Sequence, residues 1–162
     1  MEGLLLSVHV LAAIVFVGGS AVATSLFPRY APVAAPAEGP AEGPAVGPAE
    51  VMADRSRSVA VALHRITRGY SIFGVVVPAA GIVLAFVQGR TGEIWITVSM
   101  ILTAAAGLLL ALAIYPRQRE ALATPGEPAR LRTLSMFAGF YNLLWAIVVV
   151  LMIVRPGSAE GA

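Results

Sequence analysis

Two histidines are the side chains here that combine ionisation near neutral pH with ready metal ligation. They sit far apart, His9 inside the first apolar run and His64 in a polar stretch before the second. An imidazole about two turns inside an apolar helix is uncommon and usually faces a bundle interior, a cavity or a partner. Its neutral form can ligate haem iron or another metal, or relay a proton. The plainer alternative is a bond to a hydroxyl or carbonyl of the next helix, or contact with water near the interface. His9 is therefore the candidate cofactor ligand, with haem b the cofactor it would take. His64 cannot share that site: two axial imidazoles need bonds of about 2 Å to one metal, while helical rise puts roughly 30 Å of depth between these residues. His64 is expected on the basic, headgroup-facing surface. The chain has no cysteine, which removes disulfides, thiolate metal sites and cysteine nucleophiles. No catalytic motif and no ligand cluster for a free metal ion stands out.

Whatever His9 does, apolar helices must position it. Leu4–Phe27, Tyr70–Val87, Ile94–Tyr115 and Leu134–Val154 are runs of 24, 18, 22 and 21 residues without Asp, Glu, Lys or Arg. A hydrocarbon core of about 30 Å needs roughly 20 helical residues, so each run is long enough to cross. Hydrophobic residues make up 58% of the chain and charged residues 12%, against about 45–50% and about 25% in soluble domains. A soluble fold would run short of polar surface. The small residues Ala21-Val22-Ala23 have the look of a signal cleavage site. Glu2, the lack of a basic residue before the run and the run's length instead favour a retained span.

The net charge is +2, and the eleven basic residues are all arginines at the ends of apolar runs. That placement belongs to topology and lipid contact, not to a nucleic-acid groove. With four spans, Arg29, Arg55, Arg57, Arg65, Arg68, Arg117, Arg119, Arg130 and Arg132 fall on one side, and Arg90 and Arg155 on the other. The positive-inside rule puts the first set in the cytoplasm and both termini outside.

Between the first two runs, Pro36-Ala37-Glu38-Gly39 opens a four-residue repeat that continues to Glu50. Proline at every fourth position blocks a regular helix and predicts an extended linker. Val59, Leu63, Ile66, Tyr70, Phe73 and Val77 then recur at helical spacing, so the second helix should start well before its apolar run. Pro78 should kink it. Gln88-Gly89-Arg90-Thr91-Gly92-Glu93 makes a short turn, with Trp95 at the interface beyond it. The third connection is expected from Pro116 to about Thr133, centred on Thr124-Pro125-Gly126-Glu127-Pro128. Residues after Pro156 should form a disordered tail.

Small and polar residues on one helical face mark the bundle interior, since lipid accepts any large apolar side chain. On the first helix His9, Ala12, Ala13, Phe16, Ser20 and Ala23 share a face opposite Leu11, Ile14, Val15 and Val22. On the third the stripe is Ser99, Thr103, Ala106, Gly107 and Ala111, and on the fourth Ser135, Ala138, Gly139, Asn142 and Ala146. These are packing residues first. The Asn142 amide, costly to bury unpaired, should bond across to another helix.

The stretch from Leu6 to Gly19, with Leu63-His64-Arg65 through Leu84 and Tyr115-Pro116-Arg117-Gln118-Arg119-Glu120-Ala121-Leu122, resembles a family of small bacterial integral membrane proteins of unknown function. His9 in its aromatic and glycine context is also similar to the first helix of copper-resistance D-like proteins and of haem-binding, four-helix protoporphyrinogen oxidases. The oxidase resemblance would make His9 a haem ligand. That family also relies on a lysine, which this chain lacks, and the methionine- or histidine-rich clusters suited to copper transport are likewise missing.

The sequence thus predicts an all-α, antiparallel bundle of four transmembrane helices in a bacterial plasma membrane. Residues 1–30 form the first helix, 31–50 the low-complexity linker, 51–155 the remaining three helices and 156–162 the tail. The leading function is a non-enzymatic or accessory membrane subunit, in contact with lipid and with a membrane-protein partner or further copies of itself. A haem- or redox-linked protein using His9 is the rival, and a small transporter the third possibility.

Overall fold

The computed structural model describes residues 2–33, 48–73, 79, 82–83, 86, 89, 92–125 and 128–157. The linker repeat at 34–47, the Pro78 kink, most of the second apolar run, Val77, and the tail beyond Gly157 lie outside the described residues. Within them the chain is helical: α1 (Glu2–Tyr30), α2 (Pro48–Phe73), α3 (Ile94–Leu108), a π-helical turn (Leu109–Ile114), α4 (Tyr115–Ala123) and α5 (Pro128–Val154). Among the described residues three stretches are long and apolar enough to cross a membrane: His9–Tyr30, Ile94–Ala123 and Pro128–Val154.

Proline sets several of these boundaries. α1 ends just before Pro32, which disfavours helical backbone at the residue preceding it. The Ala31 amide makes the last bond, to Phe27 O at 2.9 Å, and Arg29 in the final turn suits the negative end of the helix dipole. α2 begins on Pro48, inside the last unit of the repeat and earlier than residue 51, because first-turn amides have no intrahelical partner to lose.

Pro116 does not end the third helix, contrary to the expected connection from Pro116 to Thr133. Ahead of it the hydrogen-bond register slips, and the Tyr115 amide bonds Leu110 O, five residues back. Pro116 then falls in the first turn of α4, where its missing amide costs little. α3, the π turn and α4 make one rod of 30 residues, about 45 Å long by helical rise. The break comes at Thr124 and Pro125, in the expected turn, and α5 starts on Pro128.

α1 packs between α2 and α5, α5 packs on α3, and α4 with the π turn closes against α2. The four helical elements form a ring. Its core holds Ala23, Phe27, Ala60, Leu63, Ala106, Leu110, Ile114, Leu134, Tyr141, Trp145 and Val148. Leu11, Ile14, Val15 and Val22 of α1 face outward, as expected, and Ser20 and Ala23 face inward.

The inward face of α2 is one the sequence did not assign, and that of α5 differs from the expected stripe. On α2 the buried residues are Ala60, Leu63 and Thr67, while Val59, Ile66 and Phe73 are exposed. Small Ala60 and Thr67 allow close approach, and the Thr67 hydroxyl is satisfied by Leu63 O at 3.0 Å on its own helix. On α5 the inward residues are Leu131, Leu134, Ala138, Tyr141, Trp145 and Val148. Ser135, Gly139 and Ala146 are exposed. Ser135 donates to Leu131 O at 3.1 Å, so nothing draws it inward.

Gly19 is where the Tyr70 side chain of α2 packs directly on the α1 backbone. The Tyr70 ring lies over it, a Cβ there would come within 2.7 Å of Tyr70 Cζ, and the Tyr70 hydroxyl donates to Val15 O at 3.1 Å. Gly19→Ala should therefore lower the melting temperature in detergent, at an overpacking cost of about 1–3 kcal/mol. Gly18→Ala, whose methyl would meet nothing within 4 Å, should leave it unchanged or raise it. Equal melting of the two variants would count against the α1–α2 contact.

Candidate functional site

Polar side chains collect at two levels of the ring. At the first, α1 meets α5. Tyr141 donates its hydroxyl proton to Ser20 Oγ at 2.8 Å, and Ser20 in turn donates to Val17 O at 3.2 Å. One residue along, Asn142 Nδ2 donates to Ser25 Oγ at 2.9 Å, so the amide does reach another helix. Thr24 is satisfied by Ser20 O at 2.9 Å on its own helix. Around these bonds the rings pack edge to face, Phe16 against Tyr70 at 5.1 Å and against Trp145 at 5.8 Å, and Tyr141 against Trp145 at 6.3 Å. Helical spacing explains the layout: Ser20 lies four residues beyond Phe16, and Trp145 four beyond Tyr141, so each pair shares a face.

The second level is at the arginine-bearing end. There the His64 ring of α2 stacks on Tyr115, with centroids 5.0 Å apart and planes 8° from parallel. Phe27 of α1 lies 6.5 Å from the same imidazole. His64 Nδ1 is 3.3 Å from Gln118 Oε1. An amide oxygen only accepts, so with the Gln118 amide in this orientation His64 carries a hydrogen on Nδ1. Gln118 is fully buried, and its Nε2 has no hydrogen-bond partner among the described residues.

His64 thus turns inward and does not join the headgroup-facing surface expected for it. Stacking on Tyr115 and the bond to Gln118 outweigh exposure, and its outward neighbours Arg65 and Arg68 take the surface instead. Tyr115 and Gln118 were the residues the sequence hid. They lie three apart on one helical face, flanked by Arg117 and Arg119, a pattern that has meaning only if the helix continues through Pro116.

His9 is partly buried on α1, on the face of Ala13, Phe16 and Ser20. Phe27 marks the depth of His64, so the two imidazoles are separated by about 27 Å along α1. They belong to different sites. Ser99 and Thr103 are buried on α3, Gly107 is partly buried, and Asn142 is partly buried on α5. Ser135 and Gly139 lie on the outer side of α5. Among the described residues no group of three or more His, Asp or Glu side chains could hold a metal ion.

No protein-family model, curated relative or solved structure matches the chain.

Burial lowers the His64 pKa from its ordinary 6.5. The bond to Gln118 opposes this, and the charges of Arg68 and Arg119 reinforce it. The folded protein therefore holds this proton less well than the unfolded chain. The stabilisation is complete above about pH 6.5 and is lost as pH falls through that value towards the folded pKa. Thermal melts of the detergent-solubilised protein should drop more steeply between neutral and mildly acidic pH for the wild type than for His64→Gln. Parallel profiles would show that this imidazole is solvated in the fold.

Proposed function

We propose that the protein is a four-span, multi-pass protein of the bacterial plasma membrane, serving as a non-enzymatic accessory subunit. Its arginine-rich connections lie in the cytoplasm and its termini outside. The observation that carries this proposal is the use made of the interior polar groups. The Tyr141–Ser20 and Asn142–Ser25 bonds both join α1 to α5, and Phe16, Tyr141, Trp145 and Leu110 fill the space beside them. Tyr141, Ser20, Ser25 and the Asn142 Nδ2 are spent on holding α1 to α5, while Ser99 Oγ, Asn142 Oδ1 and Trp145 Nε1 are buried without a hydrogen-bond partner among the described residues.

The outer faces support a role in assembly. Leu11, Ile14, Val15 and Val22 of α1 and Met136, Phe140, Leu143 and Ile147 of α5 are exposed, and in a membrane such faces meet lipid, a partner or a second copy. The four-span count is favoured by charge. Nine of the eleven arginines lie towards one end of the helices, Arg29 closing α1, Arg55, Arg57, Arg65 and Arg68 on α2, Arg117 and Arg119 on α4, and Arg130 and Arg132 opening α5, and four antiparallel crossings place them on one side.

Two measurements test these statements. The chain has no cysteine, so single cysteines report topology directly. Thr124→Cys should be shielded from a membrane-impermeant maleimide in intact cells, and Gly92→Cys should react; the reverse pattern would invert the orientation. Affinity isolation in mild detergent should recover a stoichiometric membrane-protein partner or a defined homo-oligomer. Recovery of a monomer alone, across several mild detergents, would overturn the accessory role.

A further inference from the structure

The arginine-bearing end also holds a cavity. It occupies about 220 Å³ between α4 and the first turns of α5, with Arg117, Arg130, Glu120 and Thr124 in its wall and Leu131 and Leu134 beneath. Both leucines are buried in the core. We infer that this cavity binds the phosphodiester headgroup of one anionic phospholipid of the cytoplasmic leaflet, an inference that rests on the membrane topology proposed above.

Depth is the first support. Arg117 lies about 35 Å along the helical rod from Ile94. That is beyond a hydrocarbon core of about 30 Å and within the roughly 40–45 Å that includes the headgroups. The rod's other end carries Trp95, bonded through Nε1 to Glu93 and with the Arg155 guanidinium 6.0 Å from its ring. This is the arrangement of an interfacial tryptophan. Lipid phosphates therefore lie level with the cavity.

Preorganisation is the second. Arg117 donates through Nη1 to Ala113 O at 3.0 Å, and its guanidinium stands 4.7 Å from the centre of the Phe137 ring. The bond to Ala113 uses one of five donors. A guanidinium held on an aromatic ring keeps its in-plane donors for oxygen atoms. Arg130 faces the same cavity from the next helix.

Charge and size choose the ligand. Among the described residues of the wall, two guanidiniums and one carboxylate leave a single positive charge, which matches the single negative charge of a phosphodiester. Glu120 can accept from, and Thr124 exchange hydrogen bonds with, the hydroxyls of a glycerol headgroup. A choline headgroup would bring a cation and no donor. The cavity is smaller than the about 300–1,000 Å³ of typical small-molecule sites, which suits a headgroup whose chains remain in the bilayer. Its apolar floor gives a lipid an advantage that free phosphate cannot use.

The test is native mass spectrometry of the delipidated full-length protein in detergent, titrated with phosphatidylglycerol, phosphatidylcholine or inorganic phosphate. The wild type should bind one phosphatidylglycerol at least about five-fold more tightly than phosphatidylcholine, and Arg130→Gln should lose about five-fold, the effect of one arginine near an anionic surface. Arg155→Gln, at the opposite end, should bind like the wild type. Melting without lipid shows whether Arg130→Gln remains folded; if it does not, Arg130→Lys is used, with a smaller loss expected because ammonium cannot form a bidentate fork. Equal affinity for the two lipids, an unaltered Arg130 variant, or an equal loss in Arg155→Gln would overturn the site. Displacement of phosphatidylglycerol by inorganic phosphate would replace the lipid with a free ion. A protein that stays monodisperse without detergent would defeat the membrane topology itself, whereas lipid indifference in a detergent-dependent protein would defeat this inference alone.

Discussion

In hydrocarbon, a polar group without a partner costs several kcal/mol. That constraint accounts for the hydroxyls of this bundle, which bond to carbonyls or to one another, though not for Ser99 Oγ, Asn142 Oδ1 and Trp145 Nε1, which are buried without a partner among the described residues. Thr24, Thr67 and Ser71 donate to carbonyls of their own helices. These hydroxyls behave as compact, nearly apolar surface and let neighbouring backbones approach. Tyr141 and Asn142 are too long to bond back in this way, and both find serine hydroxyls on α1. Cross-helix bonds of this kind are worth only about 0.6–1.7 kcal/mol each in membranes. Their larger effect is on register, because sliding α5 by one residue along α1 would unpair both together.

The π turn meets the same constraint in the backbone. A proline in a regular helix orphans a carbonyl and clashes with the preceding turn. By lengthening the bond loop just before Pro116, the chain moves this proline to the start of a new α segment. The rod can then run to Ala123, past the thickness of a bilayer core. That extension carries Tyr115 and Gln118 to His64 and Arg117 to Phe137. One local slip of hydrogen bonding thus builds the whole arginine-bearing end of the ring.

The sequence made three of the apolar helices legible because their lengths approach the thickness of a bilayer, a one-dimensional property. On α1 the inward Ser20 and Ala23, though not Ala12, which is exposed, and on α3 the Ser99–Thr103–Ala106 stripe were legible for a related reason, since small and polar residues there had large apolar neighbours on the other side. The rule failed on α5, where Tyr141 and Trp145 take the interior and Gly139 faces out. Tyr141 fills space and satisfies its hydroxyl on the opposing Ser20, 121 residues away in sequence, whereas Trp145 enters by packing alone, its Nε1 without a hydrogen-bond partner among the described residues. His64 was misplaced for the same reason: its partners, Tyr115 and Gln118, sit in a segment that reads as a loop until the helix is seen to pass through Pro116.

The two ends of the ring solve the problem of leaving the membrane differently. At the Trp95 end the contacts involve only two helix ends: Trp95 bonds Glu93, two residues back on its own chain, and Arg155 reaches across from the end of α5 to the Trp95 ring. Arg155 adopts a left-handed backbone with φ 46° as α5 terminates, a conformation a non-glycine residue tolerates at modest cost. At the other end no helix stops at the surface alone. Phe27, His64, Tyr115 and Gln118 tie three helices together beneath a rim of exposed Arg65, Arg68 and Arg119. A neutral imidazole is what makes this possible. A permanent cation at position 64 would add to the arginine charges around it with no carboxylate among its described contacts, whereas histidine can give up its proton and pack as an aromatic ring.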